Sequence, residues 1–283
     1  GRFAPSPTGP LHFGSLITAV ASYCEARAQQ GSWLVRIEDT DIPRIYPSSE
    51  AHILRAIDAF EFDPDSNIIF QKDRLDIYED VIQQLHAQGL VYACQCTRKM
   101  LGSNHIYQGT CRDLQLDLAH QAIRVKVSDQ VIQFTDPIQG THQSNLKFDL
   151  GDFVLKRRDG IINYQLAVVV DDHLQGITHV VRGADLLDNT ERQIWLGQLL
   201  GYAPLQYMHL PLAMNDQRQK LSKQNMAEAL DLSQPSQLLQ RALKALHQPE
   251  VELDRPARML QQAVAQWSST YIPHQTMLEG IYT

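Results

Sequence analysis

No stretch of this chain comes near the roughly 20 consecutive apolar residues that span a bilayer. The longest candidate, Leu166 to Val170, is stopped at once by Asp171 and Asp172, and a helical membrane span is thereby excluded. No signal peptide is visible. Cysteine is scarce: Cys24, Cys94, Cys96 and Cys111 are the whole complement, too few for a disulfide scaffold. Three of them fall within eighteen residues, which reads as a metal site in a reducing compartment before it reads as disulfides. Internal repeats and low-complexity tracts are missing. An excess of positive charge is missing too. The net charge is −7, so any nucleic-acid contact must use a local basic face. A cytoplasmic enzyme is the expectation. What remains is an ordinary globular composition, 43% hydrophobic and 20% charged over 283 residues, enough chain for about two domains.

The punctuation of the chain predicts an α/β fold. Arg2-Phe3-Ala4 reads as the end of a strand, followed by the turn-rich Pro5-Ser6-Pro7-Thr8-Gly9-Pro10. Leu16, Ile17, Val20, Ala21 and Cys24 recur at helical spacing from Ser15 to Gln30, with Gly31 where a C-terminal cap belongs. Trp33 to Ile37 reads as the next strand. Strand, loop, helix, strand opens a parallel α/β unit. Two amphipathic helices follow, one through Ile53, Leu54, Ile57 and Phe60, the other through Leu75 to Leu85 and stopping near Gly89. Helical periodicity then fades from about Tyr92 to Gly160, where the cysteines and short alternating stretches appear. Beyond it, Tyr164 to Val170 reads as a strand buried on both faces, Ile177 to Arg182 as another, and Tyr207 to Met214 as a third. Asn189 is placed as the cap of a helix through Leu200. Two amphipathic helices, around Leu238 to Leu246 and Met259 to Trp267, form the tail. The expected architecture is α/β: a doubly wound Rossmann-type parallel sheet, 1–91 and 161–215, split by an inserted zinc-bearing module over 92–160. A helical tail over 216–283 closes the chain.

Two loops carry phosphate chemistry. Pro7-Thr8-Gly9-Pro10-Leu11-His12-Phe13-Gly14-Ser15 lies between the first strand and the first helix. There a helix N-terminus offers free N–H groups to an anion. Gly14 permits close backbone approach and His12 can donate to a phosphate oxygen. Lys220-Leu221-Ser222-Lys223-Gln224 follows the last strand, where two lysines bracketing a serine could cover a triphosphate. Read singly, each is also what a connecting loop or a solvated basic loop would show.

Together they resemble the signature pair of the class I aminoacyl-tRNA synthetases. Arg2 to Gly9, Arg36-Ile37-Glu38-Asp39-Thr40-Asp41, Tyr164, Ala167 to His173 and Val181-Arg182-Gly183 extend the likeness to the glutamyl-tRNA synthetases over about residues 1–225. Gln224 departs from the serine common at the end of the second motif. The resemblance implies that Arg2, Tyr164 and Arg182 hold a glutamate side chain and Glu38 its amino group. It also implies that Phe3, Ala4, Pro5 and Ser6 line the pocket, that His12, Gly14 and Lys223 bind ATP, and that His12, Lys220, Ser222 and Lys223 assist catalysis. The charges suit such a ligand independently, since two carboxylates and an ammonium require cations and an anion at converging strand ends. Asp171-Asp172-His173 is read as positioning its neighbours, with no catalytic role.

Cys94, Cys96 and Cys111 need one more ligand to close a tetrahedral zinc site, and chemistry alone nominates His105 or His120. The glutamyl-queuosine tRNA(Asp) synthetases, a branch of the same family, use a Cys-x-Cys, Tyr-x-x-x-Cys pattern that Cys94, Cys96, Tyr107 and Cys111 match. The resemblance therefore implies Tyr107, with His105 as the rival. Only 59 residues follow Gln224, too few for the anticodon-binding region of a glutamyl-tRNA synthetase, and this too resembles the queuosine branch. Residues 92–160 hold nine Lys/Arg against seven acids, the sign that phosphate contacts require. The implied activity is ATP-dependent activation of glutamate and its transfer onto queuosine in the anticodon stem-loop of tRNA(Asp). Mg2+ would accompany ATP, one structural Zn2+ would sit in each chain, and neither membrane nor DNA is an expected partner. The alternatives are a truncated synthetase charging the acceptor end of tRNA(Glu) and a small-molecule nucleotidylyltransferase.

Overall fold

The structure is a computed structural model that describes residues 1–101, 106, 107, 109–214, 228–275, 277 and 278. Strand β1 (Arg2–Phe3) leads through α1 (Phe13–Ala28) to β2 (Leu34–Ile37), which pairs in parallel with β1. Helix α2 (Ser49–Ala59) returns the chain to β3 (Ile69–Phe70), parallel to β2, and α3 (Leu75–Ala87) follows. Val35 and Ile37 on one face and Arg36 on the other have no exposure, as expected of a parallel strand covered on both faces. Helix α1 ends two residues earlier than the periodicity predicts. Gln30 (φ 55°), not Gly31, takes the left-handed position after it.

The middle of the chain is antiparallel. Strands β4 (Val91–Cys94), β5 (Ala122–Val125) and β8 (Phe153–Lys156) form one sheet in the order β4-β5-β8. The single-turn α4 (Arg98–Leu101) follows β4. Strands β6 (Val131–Asp136) and β7 (Gly140–Asn145) make a hairpin, with Gly140 at φ 83° where the chain reverses.

Residues 164–174 overturn the expected strand. They form helix α5 (Tyr164–Leu174), started by Asn163, whose side chain accepts from Gln165 N at 3.0 Å. Eight of its eleven residues are buried. A helix apolar on all sides gives the same unbroken hydrophobic run as a central strand, so periodicity cannot separate them. Strand β9 (His179–Gly183) follows, then α6 (Thr190–Leu199) and β10 (Gln206–Leu210), parallel to β9. Asn189 does not cap α6 with its side chain; its Oδ1 instead accepts from Gln165. Pro211 interrupts the long strand expected over 207–214 and separates β10 from β11 (Leu212–Ala213).

Strands β1 and β9 lie side by side, so the two parallel groups open their C-terminal ends together. Helices α7 (Pro235–Ala245) and α8 (Pro256–Ala265) pack on α1, and β12 (Met277–Leu278) pairs in parallel with β11. One apolar core joins α1, the first strands and α7–α8 around Trp33, Leu239 and Met259. A second joins α3, α5, α6 and the β4-β5-β8 sheet around Leu155 and Leu166.

Candidate active site

The C-terminal ends of β1, β2 and β9 and the first turn of α5 enclose a cavity of about 200 Å³. Arg2, Phe3, Ala4, Pro5 and Ser6 line its β1 side, Glu38 its β2 side, Tyr164 and Arg182 the far wall. All eight residues expected around an amino acid are therefore in one place, and His12 joins them from the head of α1. Backbone polarity at strand ends and at a helix N-terminus is what makes such a crevice a binding site. His12 is the N-cap of α1, its Nδ1 accepting from Ser15 N at 3.3 Å. In the neutral ring this leaves the proton on Nε2. Gly14 makes room for that ring: a Cβ there would stand 3.1 Å from His12 Cε1.

Beneath the cavity lies a buried ionic layer that sequence reasoning missed. Arg2 Nε donates to Asp172 Oδ1 at 3.1 Å, and Arg36 Nη2 meets Asp172 at 2.8 Å and Glu38 at 3.3 Å. Arg74 Nε donates to Asp171 at 2.8 Å, and the same carboxylate accepts from Tyr78 Oη (2.6 Å) and Gln71 Nε2 (2.9 Å). Asp171 and Asp172 thus position arginines from β1, β2 and the turn before α3. Burial alone would raise the Asp172 carboxyl, but Arg2 and Arg36 outweigh it and hold it below the usual range. For Glu38 burial wins over Arg36 and Arg2, and its carboxyl sits above the ordinary value.

Arg182 is different. It is 3% exposed, yet its partners are Gln193 Oε1 (2.6 Å), Thr190 Oγ1 (2.9 Å), His209 Nε2 (3.0 Å) and Tyr164 Oη (3.3 Å). None is a carboxylate. Among the described residues no carboxylate is hydrogen-bonded to Arg182, and a buried guanidinium facing a cavity in that state favours an anion there. Arg2 lines the same cavity, but its charge is already met by Asp172.

The cysteines also converge. The Sγ atoms of Cys94, Cys96 and Cys111 lie within 4.8 Å of one another, Cys96 and Cys111 at 3.5 Å. Tyr107 Oη is 3.4 Å from Cys94 Sγ, 3.5 Å from Cys96 Sγ, and accepts from Cys111 N at 3.0 Å. Vertices of a tetrahedron about 2.3 Å from its centre are about 3.8 Å apart, so three sulfurs and one oxygen at these spacings fit zinc. Arg124 Nε donates to Cys94 Sγ at 3.3 Å and its guanidinium lies 4.1 Å over the Tyr107 ring.

His105, Lys220, Ser222 and Lys223 lie outside the described residues. The basic excess expected over 92–160 is partly consumed inside the fold. Arg112 and Arg124 are held by the Asp152 carboxylate and carbonyl, Lys156 by Glu79, and Arg157 by Asp41 and Asp159. Lys99 and Lys147 remain exposed.

Comparison with known proteins gives the family. Residues 1–238 match the family model of the catalytic domain of class I tRNA synthetases (E and Q). The chain belongs to that family, and within it to the glutamyl-Q tRNA(Asp) synthetases. It is 75% identical over 282 residues to the glutamyl-Q tRNA(Asp) synthetase of Acinetobacter baylyi, covering 100% of this chain and 97% of the relative. It is 50% identical over 285 residues to that of Neisseria meningitidis serogroup A, covering 96% and 97%. A solved glutamate tRNA ligase from Elizabethkingia meningosepticum, in complex with its amino acid, superposes with a TM-score of 0.80 at 25% identity. That match covers 97% of this chain but 65% of the other, so the chain spans about two thirds of the ligase's length.

Proposed function

We propose that the protein activates glutamate with ATP and transfers it onto queuosine in the anticodon of tRNA(Asp). The observation that carries this reading is the cavity where the uncompensated Arg182 faces Glu38 across β1. Arg182 and Tyr164 bind the side-chain carboxylate, Glu38 receives the ammonium, and Arg2 to Ser6 shape the pocket. The α-carboxylate then attacks the α-phosphate of Mg2+-bound ATP, forming glutamyl-adenylate and releasing pyrophosphate. A queuosine hydroxyl attacks the activated carbonyl and AMP leaves. No protein nucleophile takes part, and rate comes from holding the reactants in line and placing charge on the leaving group. His12 and the start of α1, with Gly14 giving the backbone room, serve the phosphates. Lys220, Ser222 and Lys223 are assigned to the departing pyrophosphate on the strength of the sequence motif.

The finer architecture belongs to the same proposal. A doubly wound sheet over 1–91 and 161–215 is split by a module over 92–160 in which Cys94, Cys96, Cys111 and Tyr107 would hold one zinc. The metal would supply structure, tying β4 to the segment around Cys111. Residues 216–283 carry the Lys220-Leu221-Ser222-Lys223 motif and the helices that brace α1. The enzyme would work in the cytoplasm, where thiols stay reduced. Among the described residues no helix is long and apolar enough to cross a membrane.

The test is the acceptor. An isolated anticodon stem-loop of tRNA(Asp) bearing queuosine should take up labelled glutamate, and the same loop with guanosine should not. Label on the 3′ end of tRNA(Glu), with none on the queuosine loop, would replace this reading with that of a truncated glutamyl-tRNA synthetase.

A further inference from the structure

Behind Arg182 runs a buried line of polar groups that the proposed chemistry does not use. Arg182 Nε donates to His209 Nε2 at 3.0 Å. His209 Nδ1 faces Asp136 Oδ2 at 2.7 Å, and the same oxygen accepts from His209 N at 2.8 Å. Asp136 Oδ1 accepts from Ile138 N and Gln139 N at 2.8 and 2.9 Å, so the carboxylate is fixed by backbone on both sides. His209 has no exposure, Asp136 2% and Arg182 3%. The three residues come from β10, the end of β6 and β9.

We propose that Asp136 and His209 are positioning residues for glutamate selection. Asp136 holds the His209 proton on Nδ1, so that Nε2 stays an acceptor and fixes the Arg182 guanidinium against the cavity. The logic is one of tautomers. A neutral imidazole has one donor and one acceptor nitrogen, and the partner at one nitrogen dictates the role of the other. With Nδ1–H given to Asp136, Nε2 can accept from Arg182. If the proton moves to Nε2, or the ring becomes imidazolium, two N–H groups confront each other at 3.0 Å and the guanidinium must turn. Its Nη1, which meets Tyr164 and Gln193, would turn with it, and the carboxylate-binding edge would be lost. This inference rests on the assignment of Arg182 to the glutamate side chain.

The surroundings favour the neutral ring. Burial is the largest influence on His209 and lowers its pKa; Asp136 opposes this, while Arg182 and His142 on β7 reinforce it. Tyr207 lies parallel to the ring on β10 with centroids 6.2 Å apart, and burial pushes its phenol up to about 12, so it adds no charge. Thr190 Oγ1 stands 3.1 Å from Nε2 and accepts from Arg182 Nη2. The ring therefore stays neutral at pH 7–8 and gains a proton only below the ordinary histidine value of about 6.5.

The experiment is glutamate-dependent ATP–pyrophosphate exchange with the full chain, separating KM for glutamate from KM for ATP and from kcat. Asp136→Asn and His209→Ala should each raise the glutamate KM by about tenfold or more, the scale of a bond to a charged group. The ATP KM and kcat should change far less. His209→Gln, which can present an acceptor oxygen to Arg182 Nε, should recover most of the loss. For the unmodified protein the glutamate KM should climb below about pH 6.5, and His209→Gln should reduce that climb to the part that protonation of Glu38 contributes. A readout independent of activity is the imidazole 15N spectrum at pH 7.5, assigned by difference from His209→Gln. An Nδ1-protonated neutral ring is expected; an Nε2-protonated ring or an imidazolium overturns the proposal. If Arg182→Ala raises the glutamate KM while Asp136→Asn and His209→Ala do not, the proposal falls and the glutamate site stands. If Arg182→Ala leaves the glutamate KM unchanged, the glutamate-site assignment falls and takes the proposal with it.

Discussion

Arg2 donates from Nε to Oδ1 of Asp172 at 3.1 Å, a bond between the first strand and α5 across 170 positions of sequence. The same carboxylate meets Arg36 at 2.8 Å, which Glu38 also meets at 3.3 Å, so two guanidinium groups that are both nearly without exposure share one anion. Removing it would take from Arg2 the carboxylate it pairs with and leave Arg36 to Glu38 and the more distant Asp171. Asp172→Ala should therefore cost about 3–5 kcal/mol of unfolding free energy, the range for breaking a buried ion pair on one side. Urea denaturation measures it. Because Asp172 is depressed in the folded state, its contribution is fully present above the ordinary aspartate value of about 3.9 and is lost as pH falls through its lower folded value. The variant should accordingly show a shallower loss of stability on acidification.

Glu38 has the opposite sign. Burial raises its carboxyl, so near pH 5 the empty site holds part of a proton there. A bound ammonium would favour the carboxylate and expel that proton. Glutamate binding at pH 5 should release protons, seen as a dependence of the calorimetric heat on buffer ionisation enthalpy, and Glu38→Gln should reduce the release to the part that the ligand's own side-chain carboxyl supplies.

Arg182→Ala should narrow the preference for glutamate over glutamine by about 1.5–3 kcal/mol, because only the carboxylate loses a charge-assisted bond. The ratio of kcat/KM for the two amino acids in pyrophosphate exchange reads this directly. A preserved ratio would move the side-chain carboxylate to another cation.

X-ray absorption at the zinc edge should show three sulfurs and one lighter ligand. Tyr107→Phe should lower zinc affinity with little change in shape, since it removes only the oxygen at the fourth vertex. Loss of metal from His105→Ala, with Tyr107→Phe still loaded, would give the fourth place to the histidine.

Legibility followed the range of each interaction. The β1–α1–β2 unit was readable because its turn is written in glycine and proline and its helix in a local period. The cysteine cluster was readable because a single residue separates Cys94 from Cys96 and the third cysteine is brought near by a single excursion. Two-residue β3 carries too little pattern to see. Helix α5 was misread because burial on every side erases its period. The pocket residues were identified through motifs, but the reasons for their placement were not. Asp136 and His209 are 73 positions apart and each looks ordinary alone, as do Arg36 and Asp172. Nor could counting lysines and arginines reveal that Arg112 and Arg124 spend their donors on Asp152.

The packing of α7 and α8 against α1 has a consequence for biosynthesis. The helix that carries His12 as its cap is made roughly 200 residues before the helices that cover its apolar flank. At typical elongation rates of about 5–20 residues per second, that flank waits on the order of ten to forty seconds for its partners. During that interval the nascent chain carries an uncovered apolar flank on α1, the kind of surface that chaperones bind. Helices α7 and α8 thus decide when α1 can settle into its final packing.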